Sequence, residues 1–126
     1  ANFILGLPYE DEASIRRTID FACSLPLDYA KFFLLVPYPG TAVHEMASRG
    51  EGNLRLVSDR LEDYGRNLGN ALELTTVSRT RIARLQLEGY LRFYSRPRRW
   101  RHFFKEYPVT KLVMFLWLRV RQARRG

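Results

Sequence analysis

Two short apolar runs, each cut off by proline and each followed by a helical pattern, constrain this chain more than any other feature. The first, Asn2-Phe3-Ile4-Leu5-Gly6-Leu7, is closed by Pro8, and the second, Tyr29-Ala30-Lys31-Phe32-Phe33-Leu34-Leu35-Val36, stops at Pro37-Tyr38-Pro39-Gly40. An uninterrupted apolar run fits a strand buried on both faces, as in a parallel sheet, better than a half-exposed one. Proline ends such a strand because it has no N–H for the ladder. Between the runs, Ile15, Ile19, Ala22 and Cys23 recur at i, i+4, i+7 and i+8, which predicts a helix over roughly residues 12 to 24. Glu10, Asp11 and Glu12 precede or open it, where the helix dipole favours negative charge. After the second run, Thr41 is a suitable N-cap for a short helix over 42–49 that ends at Gly50.

The first fifty residues therefore read strand, helix, strand, loop, helix, the alternation of a parallel sheet with crossover helices. Two strands do not make a self-sufficient sheet. The chain also opens at Ala1 directly inside the first apolar run, so a longer polypeptide carrying the remaining strands is expected. With 126 residues there is room for one ordinary domain. The expected division is a βαβα portion over 1–50, an irregular linker with one helix around 58–72 inside residues 51–77, and a basic helical extension over 78–126.

In that extension, Ser78 is a reasonable N-cap for a helix reaching about Tyr94, with Ala83, Leu87, Tyr90, Leu91 and Tyr94 on one face. Arg96-Pro97 breaks it, because the residue before proline is pushed out of the helical region. Further helices are expected over 98–106 and from about Val109, where Val109, Leu112, Val113, Leu116 and Val120 keep helical spacing.

Charge is distributed unevenly. The net charge is +8. Residues 1–50 hold four basic and six acidic side chains, whereas residues 51–126 hold 17 basic and seven acidic; from Arg92 onward eleven bases face one acid, Glu106. So dense a positive segment attracts anionic lipid, nucleic acid or an acidic surface, unless it is simply solvated. Trp100, Phe103, Phe104, Tyr107, Phe115 and Trp117 interleave with these bases. That pattern suits peripheral contact with an anionic membrane and, less well, single-stranded nucleic acid. No apolar run approaches the roughly 20 residues needed to span a bilayer, and no basic-then-apolar leader opens the chain, so a cytoplasmic location is expected.

One cysteine, Cys23, excludes a disulfide framework and any metal site built from several thiolates of this chain. His44 and His102 have no ligand spacing. No phosphate-binding or dinucleotide fingerprint occurs. Tyr38 either packs in its proline turn or faces a ligand, and Asp59, Glu62 and Asp63 read as a solvated cluster.

Three segments carry a family resemblance. Phe3-Ile4-Leu5-Gly6-Leu7-Pro8-Tyr9-Glu10-Asp11-Glu12, then Phe32-Phe33-Leu34-Leu35-Val36-Pro37-Tyr38-Pro39-Gly40-Thr41, and more loosely Tyr90-Leu91-Arg92-Phe93-Tyr94-Ser95-Arg96-Pro97 together resemble the C-terminal part of a radical S-adenosylmethionine (radical SAM) enzyme. The likeness is to the subgroup with a cobalamin-binding domain ahead of the barrel. It implies an α/β fold, a C-terminal fragment of a partial (β/α)6 barrel with two parallel strands and crossover helices, followed by a helical extension. It also implies SAM and a [4Fe–4S] cluster, whose Cys-x3-Cys-x2-Cys ligands would lie outside this chain, with cobalamin use left open. In such enzymes SAM is cleaved to a 5′-deoxyadenosyl radical; this chain alone would not be catalytic. Its expected partners are the remainder of the same enzyme and a small-molecule or lipid substrate. By resemblance, Gly6 and Glu10 lie near the SAM nucleoside, and Val36 and Pro37 line the adenine pocket. The bland readings are a tight turn for Gly6 and a helix-dipole carboxylate for Glu10. One departure stands out: Tyr9 occupies a position where the family usually has glycine.

Overall fold

In the computed structural model, residues 1–58, 60–65, 71–97 and 99 are described. Strand β1 (Asn2–Leu5) leads into helix α1 (Glu12–Ser24), strand β2 (Lys31–Leu34) and helix α2 (Ala42–Arg49). Two short strands follow, β3 (Leu54–Leu56) and β4 (Leu72–Leu74), and then helix α3 (Arg79–Tyr94). Among the described residues this is a mixed α/β unit with three α-helices and two two-stranded sheets. β1 and β2 pair in parallel, with Phe3 opposite Phe32 and Leu5 opposite Leu34. β3 and β4 pair antiparallel.

The caps explain the helix boundaries. Asp11 accepts from the Ser14 N–H while Ser14 Oγ accepts from the Asp11 N–H, a reciprocal capping box that starts α1. Thr41 and Ser78 cap α2 and α3 through His44 N–H and Arg81 N–H, and Gly50 ends α2 in the left-handed region. The helix expected around 58–72 is not formed over the described part. Leu72–Leu74 is a strand and only Leu61–Asp63 makes a single 3-10 turn. Leu54, Leu56, Leu72 and Leu74 alternate with Arg55 and Glu73, a period of two that a helix cannot use. Arg55 and Glu73 stand opposite each other and pair.

One core joins the first and last described elements. Leu5, Ile15, Ile19 and Phe32 are buried together with Ile82, Leu85 and Phe93 of α3. α1 and α3 run in the same direction, because Glu12 pairs with Arg81, Arg16 with Glu88 and Asp20 with Arg92. The inward face of α3 matches the expected one at Tyr94, which is buried, and at Tyr90, which packs against the core, and differs from it elsewhere. Ile82, Leu85, Gln86, Gly89 and Phe93 turn inward, whereas Leu87 and Leu91 are 38% and 65% exposed. Two residues that do not count as apolar set that face. A Cβ on Gly89 would lie 3.3 Å from Ile19 and 3.4 Å from Phe32, so the glycine permits the close approach. Gln86 Nε2 donates to the Phe32 carbonyl at 2.7 Å.

That last bond belongs to a set. Lys31 and Leu35 direct their N–H groups to the β1 side, at Ala1 and Leu5. The alternate residues Ala30 and Phe32 present theirs outward, where Tyr94 Oη and Tyr90 Oη bond both the N–H and the carbonyl of each. α3 thus satisfies the outer edge of β2 with side chains, as buried backbone groups require.

Arg99 closes the opposite end. It is 4% exposed, its guanidinium lies 3.9 Å from the Phe93 ring centroid, and it donates to the carbonyls of Phe93, Leu25 and Cys23. Those carbonyls end α3 and α1, where the helix dipoles favour a cation. The helices expected over 98–106 and from Val109 lie, apart from Arg99, outside the described residues, as does the aromatic and basic tail.

The ion pairs between α1 and α3 give a pH dependence. Arg81, and then Arg16, hold the Glu12 carboxyl down at about 2. A carboxyl depressed on folding adds stability that is complete above its ordinary range near 4.5 and lost as pH falls toward about 2. The urea midpoint is expected to fall as pH drops through that window, with a smaller acid-dependent loss in Arg81→Gln.

Candidate cofactor-binding rim

In parallel sheets ligands gather at the carboxyl ends of the strands. The in-register pairing places Leu5 beside Leu34, so the two proline-stopped corners leave the sheet side by side. Leu35 N–H donates to the Leu5 carbonyl and carries the pairing one residue further. The two corners are therefore adjacent.

Gly6 follows β1 directly with φ of +86°, and a Cβ built on it would meet nothing within 4 Å. The residue is buried, so this is unfilled space beside the backbone and not exposed surface, in a conformation that a side chain would strain. Glu10 turns back on the corner: its Oε2 accepts from Gly6 N–H and Leu7 N–H, both at 2.8 Å, and its carbonyl accepts from Thr76 Oγ1 at 3.1 Å. That oxygen braces its own loop, in place of the helix-dipole role of the bland reading. Asp11 and Glu12 take the helix terminus instead.

On the neighbouring corner, Val36 is half-buried and Pro37 is buried. The Val36 carbonyl accepts from Tyr38 N–H at 3.1 Å, and the Pro37 carbonyl accepts from His44 Nδ1 at 3.1 Å. Because a carbonyl only accepts, His44 carries its proton on Nδ1 in this contact. Tyr38 packs against the buried Tyr64, ring centroids 5.9 Å apart, which is the packing alternative for that residue. Asp63 accepts from Ser58 Oγ, Glu62 is exposed, and Asp59 lies outside the described residues.

The structure therefore places Gly6 with Glu10, and Val36 with Pro37, on adjacent strand ends without gathering all four around one cavity. A cavity of about 20 Å³ opens between the strand ends, β4 and the start of α3. Leu5, Gly6, Leu34 and Leu35 line it from one side and Leu72–Leu74, Arg79 and Ile82 from the other. It has room for little more than a water molecule. Within it Glu73 is held below the usual carboxylate range, chiefly by the Arg55 guanidinium. Among the described residues no group of three or more His, Cys, Asp or Glu side chains is placed to hold a metal ion, and no helix is long and apolar enough to cross a membrane.

The contribution of the loop after α2 is absent from the sequence reading. Tyr9 adopts φ of +65° and donates its N–H to the Gly52 carbonyl at 2.7 Å. Gly52, itself at +66°, is pressed against Pro8 and Met46. Tyr9 thus keeps the left-handed backbone that glycine would adopt freely, at a cost of about 1–2 kcal/mol, and its side chain stands 74% exposed. The signal for this brace was the run Gly50-Glu51-Gly52-Asn53, in which three of four residues take positive φ.

The chain is 33% identical over 97 residues to an uncharacterized methyltransferase of Pyrococcus horikoshii. It is similar to a methyltransferase. The match covers 77% of this chain and 20% of that relative, so the chain spans about a fifth of the relative's length. No protein-family model matches the chain, and no solved structure matches it.

Proposed function

We propose that this chain forms the cofactor-facing end of a SAM-dependent enzyme, a partial barrel of the radical SAM type from the subgroup with a cobalamin-binding domain. The observation that carries the reading is the parallel, in-register pair whose corners at Gly6-Leu7-Pro8 and Val36-Pro37-Tyr38 emerge together. The three motif segments and the methyltransferase relative support it. In this reading Gly6 lets the nucleoside approach the backbone, Glu10 holds the Gly6 and Leu7 amides in place, and Val36 and Pro37 give the neighbouring wall.

Unpartnered surface supports a larger assembly. Among the described residues β1 pairs with β2 alone. Ile4 on β1 and Phe21, on the flank of α1 away from α3, are 45% and 59% exposed. A preceding strand and helix of the same enzyme would cover them. The single cysteine cannot supply three thiolates, so the cluster is assigned to another part of the polypeptide and no step of its chemistry to this chain.

The test uses the full-length polypeptide, incubated without oxygen with SAM and a one-electron reductant. The expected products are 5′-deoxyadenosine and methionine. S-adenosylhomocysteine formed without a reductant would replace the radical reading with direct methyl transfer.

A further inference from the structure

We infer that Tyr9 is a ligand-contacting residue whose ring offers a stacking face to the purine of a nucleoside held at the strand-end rim. The inference rests on the reading of that rim as a SAM site and adds a specificity-determining side chain to it.

Backbone strain is the first observation. A bulky residue at positive φ is an outlier, and such strain persists only where the surroundings over-determine it. Asn53, the other non-glycine at positive φ among the described residues, is of a type that tolerates this region, whereas tyrosine is not.

The bracing is the second. Tyr9 N–H is held by the Gly52 carbonyl, Glu10 N–H by the Leu7 carbonyl, and the Gly6 and Leu7 amides by Glu10 Oε2; Thr76 fastens the Glu10 carbonyl. Five hydrogen bonds fix the backbone of a corner whose side chain is left 74% exposed. Core packing does not account for the choice of residue, since little of the ring is covered. Backbone preference opposes it, since glycine fits the same φ without strain.

Position is the third. Tyr9 follows the carboxyl end of β1, on the same loop as Gly6, where a Cβ would meet nothing within 4 Å, and the 40% exposed Leu7. A tyrosine ring on a fixed backbone has only two side-chain torsions to order on binding, and its flat face suits a heteroaromatic partner.

The experiment measures binding of SAM and of adenosine to the full-length polypeptide by equilibrium dialysis, with wild type, Tyr9→Gly and Tyr9→Phe side by side. Melting temperature serves as the folding control. Tyr9→Gly is expected to melt no lower than wild type, because it relieves the strain, yet to bind both probes on the order of tenfold more weakly. Tyr9→Phe is expected to bind within about twofold of wild type, since the ring and not the hydroxyl makes the contact. Equal binding by wild type and Tyr9→Gly overturns the inference and leaves the SAM site standing. An equal loss in Tyr9→Phe and Tyr9→Gly overturns stacking in favour of a hydroxyl contact. Failure of wild type to bind either probe removes the SAM reading and this inference with it.

Discussion

Gly52→Ala is expected to destabilise the protein by about 2–4 kcal/mol, lowering its melting temperature by on the order of 10 °C. The added Cβ would lie 2.9 Å from Met46 Cε, 3.0 Å from Pro8 Cβ and 3.5 Å from Pro8 Cα. The methionine end can move aside, but the proline ring and its backbone cannot. The backbone adds a second cost, because φ of +66° is strained for alanine. A small gain from restricting the unfolded chain offsets part of this. Relaxation would push the loop away from Pro8 and stretch the bond from Tyr9 N–H to the Gly52 carbonyl. Amide exchange at Tyr9 should therefore accelerate beyond what the loss of global stability explains. Thermal unfolding followed by circular dichroism, with hydrogen exchange at that amide, checks both parts. An unchanged melting temperature would show that the loop does not press on the corner.

The other large effect is expected at Arg99. Arg99→Met keeps most of the volume but leaves the carbonyls of Cys23, Leu25 and Phe93 without their shared donor. Stranding buried acceptors costs roughly 1–3 kcal/mol, and removing a cation from two helix C-termini adds a few tenths to about 1 kcal/mol. A total loss of about 2–4 kcal/mol follows. Lysine should recover little of it, because an ammonium has neither the planar fork that reaches two helix ends nor the flat face that lies over Phe93. Urea unfolding of Arg99→Met and Arg99→Lys tests this; wild-type stability in either would remove the clamp.

Much of the first fifty residues is legible because local chemistry and tertiary demand agree there. Ile15, Ile19 and Ala22 mark the buried face of α1, Thr41 and Gly50 bound α2, and the two apolar runs hold both strands, which end at Leu5 and Leu34 ahead of Pro8 and Pro37. Legibility falls where a buried position is not apolar or a strand is too short to show its period. Gln86 and Gly89 sit on the inward face of α3 because one meets a strand carbonyl and the other makes room, and neither role registers in a count of hydrophobic residues. β3 and β4 have three residues each, so their alternation is visible only once they pair. At the rim, the proximity of the two corners follows from reading both runs as parallel strands. The self-bracing of Glu10 and the pressure of Gly52 on Pro8 do not, because both depend on loop conformations that no spacing rule encodes.

The side-chain lock on β2 sets a direction for the sheet. With Tyr90, Tyr94 and Gln86 occupying the outward amide and carbonyl groups of Ala30 and Phe32, that stretch of β2 offers no docking line to another extended chain. Growth is vectorial: any strand that joins, a native neighbour during folding or a stray segment during misassembly, must add beyond β1.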